Sequence, residues 1–306
     1  LSKPNTRLAE TALQQLDFFA LAELVETPSA RYADLLLPVC SAWEREGLQA
    51  GFQVSAAAEA HVQLRPALAP PQGESRSDTW IVFELAKRLG LADQFHGGDA
   101  EAALAGMLAP TGLTPEALRA APGGPDLSLQ TRYRKYEQSG FATPSGRLEL
   151  HSERLRGVGL DPLPDYVAPS VPHDPRFPLT LTTAKWPQYC HSQQRNQPSL
   201  RRRMPEPLVE LHPETATARG IREGEWIEVK TQMGAMRARA RFSRHLAPQV
   251  VCAQYGWWQY PDGAGDANRL IDGECFDPVA GSNSLRNFPC QVVALHRALE
   301  NGSEMP

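Results

Sequence analysis

The sequence predicts an α/β segment followed by a mainly β domain that closes into a barrel. In the first third of the chain, short apolar runs alternate with helix-forming stretches, a pattern typical of a partial, mostly parallel sheet. Six prolines between Val158 and Pro178 exclude a helix or a central strand there, so this stretch is predicted to be a linker. From Pro178 onward, many short strands surround a single helix, which favours a closed barrel.

Composition supports a globular chain and excludes several classes of partner. The 306 residues correspond to two domains of ordinary size, and 42% hydrophobic residues supply enough apolar surface for real cores. The formal net charge of -4 provides no overall basic field for nucleic acid or an anionic membrane. No apolar run approaches the roughly 20 residues of a membrane span, so membrane insertion is not expected. The five cysteines lack metal-clip spacing, which predicts reduced, mostly packed thiols.

In the α/β segment, apolar runs that begin at Asp17 and Ala30 are the strand candidates, and residues 43–53 are interpreted as a loop. The clearest helix follows, with Asp78 as a candidate N-cap and Gly90 as the stop. Its apolar side chains recur at helical spacing: Val82, Leu85, Ala86 and Leu89. Two weaker helices are predicted near Asp99 to Leu108 and from Thr114-Pro115.

In the β domain, residues 178–184 and 249–255 are strand candidates, and a helix is predicted from Pro213 to Gly220. Two alternating runs on either side of Met233-Gly234 predict a hairpin. Arg237, Arg239 and Arg241 share one face of its second strand, and the apolar residues share the other.

The segment from Thr182 to Pro207 is the most polar and aromatic loop of the chain. It combines hydroxyls, amides, His191 and four arginines at positions 195, 201, 202 and 203. These groups suit a ligand with phosphates and a hydrogen-bonding heterocycle, and a long loop between strands is usually functional or disordered. A solvated basic loop remains the alternative interpretation.

Several blocks of the sequence strongly resemble the molybdopterin oxidoreductases, the dimethyl sulfoxide reductase family that includes formate dehydrogenases. The C-terminal blocks are TTAKWPQYCHSQQRN, HPETATARGIREGEWIEVKT, VVCAQYGWW, Asn268 and DPVAGSNSLRNFPCQV. The N-terminal blocks are ETPSARYADLLLPVCSAWEREG and SDTWIVFELAKRLG. Because the order and spacing of several blocks match, the resemblance is more specific than any single motif, and it is weakest between about Gly97 and Thr143.

The resemblance implies a fold and a cofactor. Residues 1–160 resemble the C-terminal part of the family's dinucleotide-binding α/β domain, and residues 175–300 its molybdopterin dinucleotide-binding domain, a six-stranded double-psi β-barrel. The cofactor of such enzymes is molybdenum or tungsten between two molybdopterin guanine dinucleotides. Carried over block by block, the implied cofactor contacts are Thr27, Thr183, Ala184, Lys185, Trp186, Tyr189, His191, Ser192, Tyr255, Asn268, Arg286 and Asn287.

Other readings of these residues stay open. Lys185 stands where the family often has Arg, and a lysine lacks the bidentate fork. His191 is a candidate hydrogen-bond donor and not a metal ligand, and Asn268 is either a ligand contact or a turn former. Trp257 and Trp258 are interpreted as barrel packing, and Arg201–Arg203 as a solvated face or partner surface.

Departures from the family pattern also matter. Glu44 and Glu46 are interpreted as structural carboxylates rather than an acid–base pair. The Asn that commonly follows the family's E-x-x-G is absent from LQAGFQ, which leaves that contact in doubt. His212 stands at the barrel helix where Asn or Asp usually caps.

The resemblance also implies what this chain lacks. The family's metal-ligating residue and its 4Fe–4S segment belong to its N-terminal half, so no residue here is predicted to be catalytic, to ligate a metal or to hold a cluster. We expect the chain to be the C-terminal part of a longer redox enzyme. Its expected partners are that N-terminal half or a companion subunit, together with an electron-transfer subunit.

The alternative is a separate, non-catalytic pterin-binding subunit that acts with a partner chain. We expect a cytoplasmic protein, with the periplasm as the other compartment. The substrate and the choice between molybdenum and tungsten do not follow from the sequence.

Overall fold

The structure, a computed structural model, describes residues 3–51, 58, 60–125, 127, 133–166, 174–260, 262–274, 276–277, 279–283 and 286–295. The chain divides into two compact units. The barrel unit comprises residues 1–19, 27–34 and 168–306, and the α/β unit comprises residues 20–26 and 35–167. The domain boundaries expected from the sequence stay predictions, and part of the proline-rich linker, 167–173, lies outside the described residues.

The α/β unit contains two small sheets and five helices among its described residues. Strands β1 (Ala20–Glu23) and β2 (Leu35–Pro38) pair in parallel. Of the parallel sheet that the sequence predicts, this pair of strands is the part seen among the described residues. The helices are α2 (Asp78–Arg88), α3 (Ala100–Leu108), α4 (Pro115–Ala120), α5 (Tyr136–Ser139) and α6 (Glu153–Gly157). The two weaker helices expected after α2 are therefore confirmed as α3 and α4, with side-chain N-caps from Asp99 and Thr114.

Two local expectations in this unit are wrong. Part of the segment interpreted as a loop forms β3 (Gly47–Ala50), which pairs antiparallel with β4 (Val62–Arg65) and buries Leu64. The N-cap of α2 is Ser77 rather than Asp78, because the Ser77 hydroxyl accepts the Trp80 N–H while Asp78 occupies the first turn.

The structural interpretation of Glu44 and Glu46 is confirmed. The Glu44 carboxylate accepts hydrogen bonds from the Ser41 side chain and from the backbone N–H groups of Ser41 and Gln72, and these bonds lower its pKa. Glu46 pairs with Arg119 at 2.6 Å. Each carboxylate therefore makes its own structural contacts, and these contacts do not arrange the two as an acid–base pair.

The barrel unit is built on six strands, as the sequence predicts. They are β5 (Leu179–Ala184), β6 (Leu208–Leu211), β7 (Trp226–Lys230), β8 (Ala235–Phe242), β9 (Val250–Gln254) and β10 (Phe288–Ala294), closed in the order β10-β5-β9-β6-β8-β7. The β5–β9 and β6–β8 pairs are parallel and the other four are antiparallel. The predicted hairpin is β7–β8.

The unit's helices are α1 (Thr6–Gln14), α7 (Pro198–Arg203) and α8 (Pro213–Ala218). Helix α8 is the one expected between strands. The expectation that it is the single such helix is wrong, because α7 forms between β5 and β6 within the segment predicted to be a loop. His212 does cap α8, since its Nδ1 accepts the Glu214 N–H at 3.3 Å. Two short 3-10 turns, Pro28–Tyr32 and Ala267–Leu270, complete the unit's described elements.

The alternation of side chains places the barrel core inside. On β8, Met236, Ala238 and Ala240 are at most 2% exposed, whereas Arg237 and Arg239 stay partly accessible. Fully buried side chains from β6, β7, β9 and β10 fill the remaining interior. Because every strand contributes alternate residues to one core, the barrel holds its rim loops on a rigid base.

We predict that the cysteines differ sharply in reactivity. Cys190 is exposed, while burial raises the pKa of Cys252 to about 11 and that of Cys290 to about 12. At pH 8 the Cys252 thiolate is therefore only about one part in a thousand, and neither buried thiol is accessible. Mass-spectrometric mapping after brief alkylation should find Cys190 modified before Cys252 and Cys290. In urea, the three cysteines should be alkylated at similar rates. Rapid alkylation of Cys290 in the folded protein would contradict the packed barrel.

None of the described helices is long and apolar enough to cross a bilayer.

Candidate cofactor-binding site

Strand direction brings distant residues to one rim of the barrel. Parallel strands β5 and β9 both end there, with Ala184 paired to Gln254. Antiparallel β10 begins there, since Phe288 pairs with Leu181 and the Asn287 N–H donates to the Leu181 carbonyl at 2.8 Å. This rim, which we call the β5–β9 rim, therefore collects Thr183 to Lys185, Tyr255, Arg286 and Asn287.

The loop that leaves β5 is anchored beside this rim by an aromatic cluster. Tyr189 is 7% exposed, and its hydroxyl donates to the Met204 carbonyl at 2.9 Å. Trp257 is 1% exposed and meets the Tyr189 ring edge to face at 5.7 Å. The Gln254 side chain accepts the Trp257 indole N–H at 2.9 Å and the Leu208 N–H at 3.1 Å. The interpretation of Trp257 as packing is thereby confirmed.

Above the aromatic cluster, His191 and Tyr255 meet. The Tyr255 hydroxyl lies 3.2 Å from His191 Nδ1, and the rings are tilted at 5.6 Å. Burial raises the pKa of Tyr255, so its hydroxyl stays protonated at neutral pH. The Trp258 indole donates to the Ser192 carbonyl at 2.9 Å, which binds the two loops together.

Several of the residues predicted to contact the cofactor are exposed to solvent. Lys185, His191, Arg286 and Asn287 are exposed. The electrostatic influence of Arg286 reaches both Tyr255 and Cys252, which places its charge at the end of β9. The rim therefore offers two cations, an imidazole, an amide and a phenol to a ligand above it.

Trp186 differs from these exposed residues because its side chain packs against others. Its half-buried ring packs against the cluster of Tyr189, Met204 and Trp257, and the Arg241 guanidinium lies 4.9 Å from its centroid. Arg202 and Arg203 of α7 are exposed, in agreement with a solvated or partner-facing surface.

Thr27 and Asn268 flank a separate pocket of the barrel unit. Thr27, 9% exposed, precedes the 3-10 turn Pro28–Tyr32, and Asn268 lies in the 3-10 turn after Asp266. The Asn268 carbonyl accepts the Asn5 N–H at 3.0 Å, which ties this turn to the start of α1. The pocket's charged and aromatic lining includes Lys3, Glu10, Arg31, Tyr32, Trp257, Trp258, Tyr260, Asp266 and Arg269.

Ion pairs order this pocket. Arg269 pairs with Asp266 at 3.2 Å and with Glu10 at 3.5 Å, and the Thr6 hydroxyl donates to Asp266 at 2.9 Å. Burial and the nearby Glu10 carboxylate raise the pKa of Tyr32. The Trp258 side chain lines this pocket and also bonds to Ser192, so it connects the pocket with the β5–β9 rim.

Tyr32 and Arg269 were not identified as site residues from the sequence. Arg195 was likewise not distinguished from the other arginines of the loop. Arg195 is 3% exposed, unlike its exposed neighbours. Its burial depends on Tyr189 and Trp257 meeting in three dimensions, which residue type and spacing do not reveal.

The rim of this closed mixed barrel collects hydroxyl, amide, imidazole and cationic groups, the residue types that suit a phosphate-bearing heterocyclic ligand. Residues 1–88 match the molybdopterin oxidoreductase family, and residues 179–289 match the molydopterin dinucleotide binding domain. The chain belongs to the molybdopterin oxidoreductases, which confirms the resemblance noted in the sequence.

Relatives and a solved structure agree. The chain is 28% identical to the assimilatory nitrate reductase catalytic subunit of Bacillus subtilis, over 96% of this chain and 41% of that protein. It is 26% identical to dimethyl sulfoxide reductase of Escherichia coli, over 82% and 33%. The structure of acetylene hydratase from Pelobacter acetylenicus superposes with a TM-score of 0.82 at 25% identity, over 95% of this chain and 42% of that one. The chain thus spans between about a third and two fifths of these relatives.

Proposed function

We propose that this chain supplies the cofactor-holding part of an oxidoreductase whose molybdenum or tungsten lies between two molybdopterin guanine dinucleotides. The observation that carries the proposal is the convergence of Lys185, His191, Tyr255, Arg286 and Asn287 on one barrel rim from three separate stretches of sequence. A structural barrel end has no need of two exposed cations and an exposed imidazole on the same side.

The donor set of the β5–β9 rim fits an anionic pterin. Lys185 and Arg286 would pair with phosphate oxygens, and a charge-assisted hydrogen bond contributes about 1.5–3 kcal/mol before solvent screening. The Asn287 amide can both donate to and accept from a heterocycle, and Tyr255 and His191 add a hydroxyl and a ring nitrogen. The family often has Arg where Lys185 stands, and Arg would offer a bidentate fork, whereas this lysine contributes only a point charge.

The pocket beside Thr27 and Asn268 fits the nucleotide end of the same cofactor. Aromatic rings of Tyr32 and Trp258 offer stacking faces, and carboxylates of Glu10 and Asp266 accept hydrogen bonds from a purine edge. Lys3 and Arg31 would face its phosphates.

When bound, the cofactor's metal supplies electron or oxygen-atom transfer. The residues of this chain bind and orient the pterins, and none of them touches the reacting atoms in this proposal. Catalysis then depends on the N-terminal half of the same enzyme or on a companion subunit that brings the metal ligand and any 4Fe–4S cluster, with an electron-transfer subunit as a further partner. If the chain is a separate subunit, the same rim binds the pterin for its partner.

We predict that Lys185→Ala and Arg286→Ala each weaken binding of molybdopterin guanine dinucleotide about tenfold, the equivalent of one screened charge-assisted bond of about 1.4 kcal/mol. Calorimetric titration of the dinucleotide into the 306-residue chain measures the change. Arg222→Ala and Arg244→Ala remove exposed cations at the opposite rim, where β7 begins and β8 ends, and should leave affinity unchanged. If all four variants lose affinity equally, the effect comes from the net charge of the protein, and a site at the β5–β9 rim is contradicted.

A further inference from the structure

Arg195 is a buried arginine packed in the corner between two aromatic rings. It is 3% exposed, and its guanidinium carbon lies 4.3 Å from the Tyr189 ring centroid and 4.6 Å from that of Trp257. Because these two rings meet edge to face, they contact the guanidinium from two adjacent directions and exclude water there. This arrangement differs from that of the exposed Arg202 and Arg203 nearby.

The edges of the same guanidinium join two loops. Its Nε donates to the His191 carbonyl at 3.0 Å, and its Nη2 donates to the Tyr255 carbonyl at 2.5 Å. His191 belongs to the loop after β5 and Tyr255 to the loop after β9, 64 residues away. One side chain thus fixes the backbone beneath both members of the His191–Tyr255 pair.

The charge of Arg195 has no carboxylate partner among the residues that the structure describes. Among the described residues, no Asp or Glu oxygen lies within ion-pair distance of it, and its buried Nη1 makes no hydrogen bond. Burial lowers its pKa to about 10, so it remains charged at neutral pH. A desolvated cation costs free energy unless something compensates for it. Here two aromatic rings and two carbonyls compensate for it, and all four groups come from the two loops that it joins.

Two further contacts show how closely these loops approach. Gly256, at φ +84°, lies so near the first loop that an added Cβ would fall 2.6 Å from the His191 carbonyl oxygen. Trp258 bonds to the Ser192 carbonyl from the second loop. His191 itself adopts a positive φ of 54°, a conformation that is uncommon for residues other than glycine.

We infer that Arg195 is the positioning residue of the cofactor rim, a buried guanidinium that clamps the β5 and β9 loops and thereby sets the His191–Tyr255 pair. Lysine cannot replace it, because an ammonium has neither the planar group that contacts both rings nor a fork that spans two carbonyls. The proposed function is needed only for the statement that the His191–Tyr255 pair contacts a cofactor. The clamp itself is a property of the chain alone.

Hydrogen exchange of the ligand-free 306-residue chain tests the clamp. In Arg195→Lys and Arg195→Gln, amides of residues 190–195 and 255–258 should exchange at least tenfold faster than in the wild type. Amides of the barrel strands β7 and β8 should keep their protection, which shows that the variants are folded. Arg202→Lys is the matched control and should match the wild type. Wild-type protection of both loops in the Lys variant would overturn the inference.

A double-mutant cycle supplies a second measurement, which remains informative if a single variant folds poorly. Tyr255→Phe removes the hydroxyl that faces His191, and its effect on loop exchange should largely disappear in the Arg195→Lys background. Additive effects would show that Arg195 does not act through this pair. In Arg195→Ala, millimolar methylguanidinium should restore loop protection, and failure to do so would also count against the clamp. If the wild-type chain shows the clamp but binds no dinucleotide, the proposed function fails and this inference stands.

Discussion

Replacing Gly256 with alanine is expected to remove about 2–4 kcal/mol from the free energy of unfolding of the barrel unit. The added Cβ would lie 2.6 Å from the His191 carbonyl oxygen, 2.7 Å from its carbon and 2.9 Å from the Ser192 nitrogen. All three are backbone atoms, so no side chain can rotate away. The φ of +84° adds the strain of a left-handed alanine. Chemical denaturation followed by tryptophan fluorescence measures the loss.

Gly224→Ala separates the two causes. Gly224 has a similar φ of +74°, but an added Cβ would meet nothing within 4 Å. This control should lose only about 1 kcal/mol, the cost of the backbone strain. If Gly256→Ala is no worse than Gly224→Ala, the two rim loops do not approach as closely as described.

The second large effect is expected from Trp257→Ala, which should cost about 3–5 kcal/mol. Trp257 is the largest of the fully buried side chains, and its loss leaves a cavity between Tyr189 and Tyr260. It also removes one of the two rings that cover Arg195 and the indole N–H bound by Gln254. Thermal and denaturant unfolding should both report the change.

Trp257→Phe is the graded control. It keeps an aromatic face and loses the indole N–H, whose acceptor Gln254 Oε1 retains the Leu208 N–H. We expect a loss of about 1–2 kcal/mol. Equal and small losses in both variants would mean that Trp257 is not the centre of the aromatic cluster.

The barrel could be predicted from the sequence because its signals are local. The alternation in MRARARF assigns Met236, Ala238 and Ala240 to the interior, and the Met233-Gly234 pair locates the hairpin. The helix after His212 is equally visible, since Pro213 begins it and Gly220 follows it. Each of these features depends on residues within one or two turns of chain.

The α/β unit was less predictable because its signals are weak or depend on distant partners. Gly47–Ala50 is a short run of mixed character that becomes a strand only by pairing with Val62–Arg65. On α2 the periodic apolar side chains correctly indicate a helix. Val82, Leu85 and Leu89 are nevertheless exposed in the described structure, and Ala86 is the buried residue of that helix.

The candidate site was also predictable only in part, for the same reason. Lys185, Tyr255, Arg286 and Asn287 were identified by resemblance, and strand topology brings them to one rim. Their roles as cofactor contacts stay predictions. Arg195 was visible only as one of four loop arginines, because what distinguishes it is burial against the rings of Tyr189 and Trp257, which lie 68 residues apart in the sequence.

The central claim is that the β5–β9 rim binds a molybdopterin cofactor, and hydrogen exchange with and without molybdopterin guanine dinucleotide tests it most directly. The account predicts new protection in residues 183–192, 255–258 and 286–287. The opposite rim, residues 243–250 and 219–225, should not change. Protection confined to the opposite rim, or none at saturating dinucleotide, would contradict the claim.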